Sequence, residues 1–387
     1  MSKKYYKGFN KDMTCRGFQF EESKTYEEPE AKLCEKGFHA CENPLDCWKY
    51  YDVMDSVFHE VELDGVSEER HSNDTKVCAK KITVGARLDM NGLVKASVDV
   101  VLESVKGCFD KKLFDKKIVD SGNDAQIGSS GYGAQIGSSG YGAQIGSSGN
   151  YAKIGSSGYG AQIGSSGDAA QIGSPGDGAQ IGSSGDGAKI GSSGNGAKIG
   201  SSGNGAKIGS SGNGAKIGSS GNDAKIGSSG NGAKIGSSGN DAQIGSSGYD
   251  AQIGSSGYAA QIGSSGYGAK IGSSGNDAQI GSSGDGAQIG SSGDAAQIGS
   301  SGNYAKIGSS GNYARIDIAG ERSIGACVGN SGKIKAKVGC WIVLSEWKMV
   351  KDKYTPVCVK SVQVDGEKVK ADTWYTLKDG ELVEVQE

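Results

Sequence analysis

Gly200-Ser201-Ser202-Gly203-Asn204-Gly205-Ala206-Lys207-Ile208 is one copy of the nine-residue unit that decides the fold of this chain. The unit repeats with little change through the middle of the 387 residues, and its isoleucine recurs every ninth residue from Ile127 to Ile316, 22 times. A short, fixed period of this kind is typical of solenoids, in which each unit contacts mainly its neighbours. The nine positions are numbered 1 to 9, from the first glycine to the isoleucine.

The end of the unit has the pattern of a short strand. Ala at position 7 and Ile at position 9 lie on one side of an extended segment, and Lys or Gln at position 8 lies on the other. The Gly/Ser-rich remainder predicts a turn, because glycine adopts positive φ without a steric cost. Two units per flattened 18-residue coil and three units per triangular coil both fit the period.

Apolar burial alone cannot stabilise such an array. Each unit buries one Ile, worth about 1.5–3 kcal/mol, whereas ordering the backbone costs about 1–2 kcal/mol for each residue. Hydrogen bonds between coils, aligned side chains and folded ends must therefore contribute.

Three other structures compete for the array: a disordered Gly/Ser chain, a bundle of polyproline-II helices and a calcium-binding β-roll. The constant phase of the isoleucine argues against disorder. Asp occurs at position 6 in only five units, which argues against calcium: Asp124, Asp223, Asp241, Asp250 and Asp277. We therefore predict a mainly β protein with a central parallel β-solenoid, of the β-helix or β-roll kind, over 111–325. An N-terminal α+β domain over 1–110 and a small C-terminal capping β domain over 326–387 complete the prediction.

Composition and charge limit the classes of function. The formal net charge of −3 gives neither the basic excess of a non-specific nucleic-acid binder nor the acidity of a DNA mimic. No apolar run is long enough for a transmembrane helix, and the first residues lack the apolar core of a secretory signal. The nine cysteines are thus expected to be reduced thiols of a cytoplasmic protein. No cofactor and no membrane partner are predicted.

The variable positions supply the candidate binding residues. Lysine occupies position 8 in six successive units, and tyrosine occupies position 5 in an early and a late cluster. On a rod, such blocks would form charged and aromatic stripes for a partner protein, glycan or polyanion, although recent duplication of neighbouring units would also produce them. The predicted binding residues are Lys189, Lys198, Lys207, Lys216, Lys225, Lys234, Tyr132, Tyr141, Tyr159, Tyr249, Tyr258 and Tyr267.

The N-terminal region has the patterns of an ordinary globular domain. Strands are predicted at 5–9, 18–20, 57–63 and 76–82, with one helix beginning at Pro44 and another running from Leu93 to Val105. A group of cysteines and a histidine has the spacing C-x4-H-x-C-x5-C, which is not a usual zinc arrangement. Structural cysteines and no metal are therefore predicted for this group, which is Cys34, His39, Cys41 and Cys47.

One resemblance concerns an enzyme fold. The run Gly37–Cys41, followed by Pro44 and a strand ending at Leu63, resembles a segment of ADP-ribosyltransferase-like domains. That resemblance would give Arg16 the role of the family's early arginine. The chain lacks the family's Ser-Thr-Ser run and its E-x-E/Q-x-E loop, so we predict that it is not an enzyme.

A second resemblance covers nearly the whole chain. Y-K-G-F…C-R-G-F-x-F-E…G-F-H-A-C-E-N-P-L-D (Tyr6 to Asp46) and W-I-V-L-x-E-W…V-D-G-E-x-V-K-A-D-T-W-Y-x-L (Trp341 to Leu377) are similar to the flanks of Gly/Ser-rich nonapeptide arrays. Such flanks, an N-terminal domain of unknown function and a small C-terminal β domain, occur in uncharacterised proteins of phages and prophages of Firmicutes and gut bacteria. The resemblance implies a phage-encoded protein in the cytoplasm of an infected or lysogenic bacterium.

The leading hypothesis is a non-enzymatic binding protein whose rod-like solenoid binds or inhibits a host protein or protein complex, with a bacterial defence system as the candidate target. The alternatives are a virion structural or receptor-binding fibre component, an ADP-ribosyltransferase-like effector, and cyclic-nucleotide binding by the aromatic and basic N-terminal residues. Nucleic acid as a partner and homo-oligomerisation stay open.

Overall fold

The computed structural model describes residues 4–52, 56–69, 74–104 and 117–386. The chain is mainly β, with 48% strand and 5% helix, and coils of a parallel β-solenoid occupy residues 117–344. The predicted β-solenoid is thereby confirmed, and the disordered and polyproline-II interpretations are wrong. Two compact units make up the chain: Met1–Ile208 with Lys216–Gly221, and Gly209–Ala215 with Asn222–Glu387. Within the described residues, no helix has the length and hydrophobicity needed to cross a membrane.

The N-terminal domain lies in the first unit and contains a small antiparallel sheet. The sheet closes on itself, because β7 pairs with β4, β5 and β6 in the strand order β4-β7-β5-β1-β6. Its interior is apolar and includes Phe9, Phe20, Phe38 and Ile82. The elements of the domain are β1 Tyr5–Asn10, β2 Thr14–Cys15, β3 Phe18–Gln19, β4 Thr25–Glu27, β5 Phe38–Cys41, a 3₁₀ helix Pro44–Lys49, β6 Ser56–Val66, β7 Lys76–Leu88 and α1 Met90–Ser104. The next strand, β8 Lys117–Asp120, is the first strand of the solenoid.

Both predicted helices are present in altered form. The helix at Pro44 is a six-residue 3₁₀ helix, and the side chain of Asn43 caps it by accepting from the N–H of Leu45 at 3.1 Å. The second is the α-helix Met90–Ser104. Its predicted last residue, Val105, lies outside the described residues.

Each repeat unit contributes one four-residue strand, which runs from position 8 to position 2 of the next unit. The first is β9 Gln126–Ser129 and the last is β30 Arg315–Ile318, with a strand beginning every nine residues between them. Each pairs in parallel with a strand 18 residues away, as Gln144 does with Gln162 in the first unit and Gln252 with Lys270 in the second. One coil therefore contains two repeat units, and the triangular alternative is wrong.

The interior of each coil is built from three positions. Ala at position 7 and Ile at position 9 point inward, as predicted, and Ser at position 2 joins them. In one coil of the second unit Ala269, Ile271 and Ser273 are 0%, 4% and 6% exposed. The side chain at position 8 and the glycine at position 1 face outward, because side chains alternate along a strand.

The turns are aligned from coil to coil by side-chain as well as backbone hydrogen bonds. Asn or Asp at position 5 accepts from the backbone N–H of the residue 18 positions later, as Asn213 does from Asn231 at 2.9 Å and Asp285 from Asn303 at 2.7 Å. Position 6 has positive φ whether it is glycine or not, with 58° at Asp223 and 53° at Ala259. The Asp residues at position 6 are thus in a turn conformation that Asp tolerates.

The glycine at position 4 lies where neighbouring coils come closest. A Cβ atom on Gly266 would lie 1.9 Å from the carbonyl oxygen of Gly248, and one on Gly230 would lie 2.0 Å from that of Gly212. The glycine at position 1 is different, since a Cβ atom on Gly263 would have no atom within 4 Å. Glycine is therefore a steric requirement at position 4 and is replaceable at position 1 in this part of the array.

The C-terminal end of the second unit changes from parallel to antiparallel pairing. Its strands are β30 Arg315–Ile318, β31 Ile324–Cys327, β32 Lys333–Ala336, β33 Trp341–Val350, β34 Lys353–Gln363, β35 Trp374–Lys378 and β36 Glu381–Val385. β33 continues the solenoid by pairing in parallel with β31, and it pairs antiparallel with β34. β35 pairs antiparallel with β32 and β36. These hairpins cover the last coil.

The glycines at positions 4 and 1 should differ in how strongly their replacement by alanine changes the stability of the array. Gly266→Ala forces its Cβ into a backbone carbonyl and should destabilise the array by about 3 kcal/mol. Gly263→Ala, in the same coil, should change stability by less than about 1 kcal/mol, since its Cβ enters open space and alanine reduces the backbone entropy of the unfolded chain. Thermal unfolding followed by circular dichroism would measure both, and equal melting temperatures would contradict the steric role of position 4.

Replacing a non-glycine residue at position 6 by glycine should stabilise the array. Ala259 has a left-handed backbone conformation that costs a side-chain-bearing residue about 1–2 kcal/mol, so Ala259→Gly should raise the melting temperature. The adjacent Ala260 is fully buried at position 7, and Ala260→Gly should lower it. Two shifts of the same sign would show that the backbone at position 6 is not strained.

Candidate functional site

The predicted lysines do not share one environment. Within the first unit, Lys189 lies on one sheet of the solenoid, whereas Lys198 and Lys216 lie on the other, because successive units alternate between the sheets. Lys198 is 5% exposed, with its Nζ 3.3 Å from Oδ1 of Asp46, and burial lowers its pKa although Asp46 acts in the opposite direction. Lys216 donates from Nζ to the backbone oxygen of Trp48. The others are exposed or half-buried, namely Lys189, Lys207, Lys225 and Lys234.

The predicted tyrosines all lie at turns and are exposed. Tyr141 and Tyr159 are 18 residues apart and stack, with ring centroids 5.4 Å apart and an interplanar angle of 11°. Tyr132 instead packs against Tyr151 at 5.1 Å. The late cluster is equally accessible, with exposed fractions of 53–60% for Tyr249, Tyr258 and Tyr267.

Lys198 and Gln180 fix the N-terminal domain on the solenoid. The carboxylate of Asp46 is fully buried and accepts from Nε2 of Gln180 at 2.9 Å, from Lys198, and from the N–H and hydroxyl of Thr75 at 3.0 and 2.7 Å. Asn43 donates to Oε1 of Gln180 at 3.2 Å. A buried carboxylate with this many donors is well satisfied, so removing any one partner is costly.

Helix α1 packs across outward-facing glycines of the same sheet. An added Cβ on Gly200, Gly182 or Gly164 would meet a valine of the helix at 2.7, 3.1 and 3.0 Å respectively. The valines are Val94, Val98 and Val101, one helical turn per coil. Position 1 must therefore be small under the helix, although it is open elsewhere.

A pocket of about 510 Å³ opens in the N-terminal domain between β1, β5 and the β2–β3 hairpin. Lys7 of β1 and His39 of β5 lie in its wall because β1 and β5 are paired strands. Arg16 and Gly17 form the two-residue hairpin turn, with φ of 50° and 80°, which places the Arg16 side chain at the pocket. Chain folding thus brings together residues that are far apart in the sequence.

Cys15 has two hydrogen-bond donors inside the pocket. The hydroxyl of Tyr51 donates to its Sγ at 2.8 Å, and Nζ of Lys7 lies 3.6 Å from the same atom. Burial, followed by the bond to Cys15, raises the pKa of Tyr51. Gly8 makes this arrangement possible, because a Cβ at that position would lie 2.5 Å from the ring of Tyr51.

Three cations of the pocket lack a carboxylate partner among the described residues. Lys7 is only 6% exposed, and its Nζ donates to the backbone oxygen of His39 at 3.0 Å. Lys76 lies over the ring of Tyr50, 4.4 Å from its centroid, and Arg16 makes no ion pair within the part of the chain that the structure describes. The wall carboxylate of Glu28 likewise has no ion pair with a described residue, so the described wall keeps an excess of positive charge.

His39 responds to this charge. Burial, and then the charges of Lys7, Lys76 and Arg16, lower the pKa of His39 to about 4. Its Nε2 accepts from the backbone N–H of Cys34 at 2.8 Å, which a neutral ring can do. The histidine is therefore neutral at pH 7, and the pocket's positive charge comes from lysine and arginine alone.

The four residues of the sequence group C-x4-H-x-C-x5-C form two pairs, since Cys34 contacts His39 and Cys41 contacts Cys47. Cys34 and His39 are joined by the backbone hydrogen bond just described, whereas Cys47 donates from Sγ to the backbone oxygen of Tyr6 at 3.3 Å. Within the ranges that the structure describes, no three His, Cys, Asp or Glu side chains converge as metal ligands would. The predicted structural role of Cys47 agrees with its burial.

Most of the pocket is not evident from the sequence. Only a family resemblance points to Arg16, and no functional motif marks Lys7, Cys15, Tyr51 or Lys76 as a site residue. The signal in the sequence is the pair of motifs Y-K-G-F and C-R-G-F. Lys7 is followed by a glycine at a close contact, and Cys15 is followed by an arginine at a turn.

The comparisons with known proteins concern the domain that contains the pocket. Residues 3–96 match a domain of unknown function, DUF7666. No curated protein and no solved structure matches the chain. The N-terminal part of the resemblance, to a domain of unknown function, is thereby supported.

The neutral state of His39 can be measured. Its NMR titration should have a midpoint near pH 4, and Lys76→Gln should raise that midpoint by removing a nearby positive charge. Since the unfolded histidine titrates near pH 6.5, the folded domain should lose stability as pH falls from about 6.5 to 4. Lys80→Gln, at an exposed lysine of the same domain, is the control and should leave the midpoint unchanged.

Proposed function

We propose that this chain is a non-enzymatic binding protein that captures a small anionic ligand in the pocket of its N-terminal domain. The observation that carries the proposal is the convergence of Lys7, Arg16 and Lys76 on one pocket, with no carboxylate partner for any of them among the described residues. A bound anion would balance the positive charge of these three side chains.

The energetics favour this assignment. Removing an ammonium group from water is costly unless it is paired, and Lys7 is almost fully buried. It contacts a backbone oxygen, a thiol and the rings of Phe9 and Phe20, at 5.4 and 5.7 Å, but no carboxylate among the described residues. A bound phosphate or carboxylate would form charge-assisted hydrogen bonds with Lys7 and with the more accessible Arg16 and Lys76.

The solenoid supports the pocket in this proposal. The domain is held through Asp46 and α1 on a sheet whose strands pair in parallel with those of the neighbouring coils. A rigid support reduces the entropy lost when the pocket binds its ligand. If the chain is phage-encoded, capture of a host-made anion on which a defence system depends would be its inhibitory role.

Titration calorimetry of the full-length chain with inorganic phosphate and pyrophosphate at low salt tests the proposal. Binding at one site is expected, and Arg16→Gln and Lys76→Gln should each weaken it about tenfold through the loss of one charge-assisted hydrogen bond. Both side chains are outside the apolar core, so the variants should fold. Lys80→Gln should bind as the wild type does.

Two results would contradict the proposal. Equal affinity in all three variants would place the anion elsewhere on the chain. Release of nicotinamide from NAD that is lost in Arg16→Ala would instead support the ADP-ribosyltransferase-like alternative. The location of Arg16 in the pocket favours that alternative over the fibre alternative.

A further inference from the structure

Two aromatic side chains at the pocket are exposed, although each is held in place. Phe18 is 46% and Tyr50 is 45% exposed, and both belong to the pocket wall. Building on the proposed function, we propose that the ligand is a nucleotide, whose base stacks on these rings while its phosphate binds the three cations.

The orientation of Tyr50 is fixed from two directions. Its hydroxyl donates to Oδ2 of Asp74, and Lys76 lies over its ring. Lys76 is therefore positioned beside an aromatic surface, which is the juxtaposition that a phosphate linked to a ring requires. An aromatic side chain that is already immobile loses little entropy when a base stacks on it.

Phe18 is held by other aromatic rings. It lies on β3, directly after the Arg16-Gly17 turn, with its ring centroid 4.8 Å from that of Phe20 and 5.4 Å from that of Tyr26, both edge-to-face. The edges of Phe20 and Tyr26 thus support a ring that remains nearly half exposed. Arg16 and Phe18 are brought to the same mouth of the pocket by one tight turn.

The remaining wall suits a nucleotide better than a simple anion. Glu28 opposes an inorganic anion by its charge but can accept from an exocyclic amino group or a ribose hydroxyl. The volume of about 510 Å³ lies within the range of roughly 300–1,000 Å³ that small-molecule sites occupy. A single phosphate ion would leave most of that space to water.

Calorimetry of the full-length chain with AMP, GMP, UMP, adenosine and inorganic phosphate tests the inference. At least one nucleotide should bind tenfold or more tightly than phosphate, and adenosine should bind more weakly than AMP. Phe18→Leu and Tyr50→Leu should each weaken nucleotide binding about tenfold. Phe18→Leu should leave phosphate binding unchanged, because Phe18 packs on Phe20 and Tyr26, whereas Tyr50 also positions Lys76 and its loss should weaken phosphate binding as well. Tyr132→Leu is the matched control, because Tyr132 is a comparably exposed aromatic residue on the solenoid.

The outcomes separate this inference from the function on which it rests. Phosphate binding with no nucleotide binding more tightly would overturn the inference and leave the anion-binding proposal standing. Equal loss of phosphate and nucleotide binding in Phe18→Leu would show that the ring only shapes the pocket, which also overturns it. No binding of any of the five compounds would remove both proposals.

Discussion

The fold depends on the contact between the position-4 glycines of successive coils. A carbonyl oxygen lies about 2 Å from where any side chain at this position would begin, as between Gly266 and Gly248. Only a chain without a Cβ atom lets the turns approach closely enough for the strands on either side to form a continuous parallel ladder. The strong conservation of sequence between units therefore reflects steric exclusion more than apolar burial, since each unit buries only Ala, Ile and Ser side chains.

The regular surface that results is used in two ways by the N-terminal domain. Outward glycines at position 1 form a smooth row into which the valines of α1 fit, and the polar side chains at position 8 supply the partners of Asp46. The same repeat thus provides both a close-packed and a hydrogen-bonded contact. The domain carries the chemically varied side chains that the repeat lacks, including the pocket cations, which have no carboxylate partner among the described residues.

The sequence was sufficient to predict the solenoid, because inward Ala and Ile at positions 7 and 9 and a glycine-rich turn follow from local stereochemistry. The strand itself is shifted from the predicted positions 7 to 9 and runs from position 8 to position 2 of the next unit. It could not choose between two and three units per coil, since that choice depends on how coils pack. The separate environments of Lys189 and Lys198 follow from that choice. The pocket was beyond prediction for another reason. Lys7, His39 and Lys76 meet through antiparallel pairing of β1, β5 and β7, Arg16 reaches them from the β2–β3 turn, and no short motif contains all four.

Because each repeat forms half a coil, an even or odd number of repeats decides on which of the two sheets a later strand lies. Insertion or deletion of one nine-residue copy within the second unit exchanges the two sheets for every later strand of that unit, whereas a pair of copies leaves each strand on its original sheet. The interior tolerates either event, because both sheets have the same inward residues. Unequal recombination between near-identical copies can therefore change the length of the array without disrupting its core. If the number of copies gained or lost is odd, the terminal β33–β34 hairpin continues from the opposite sheet.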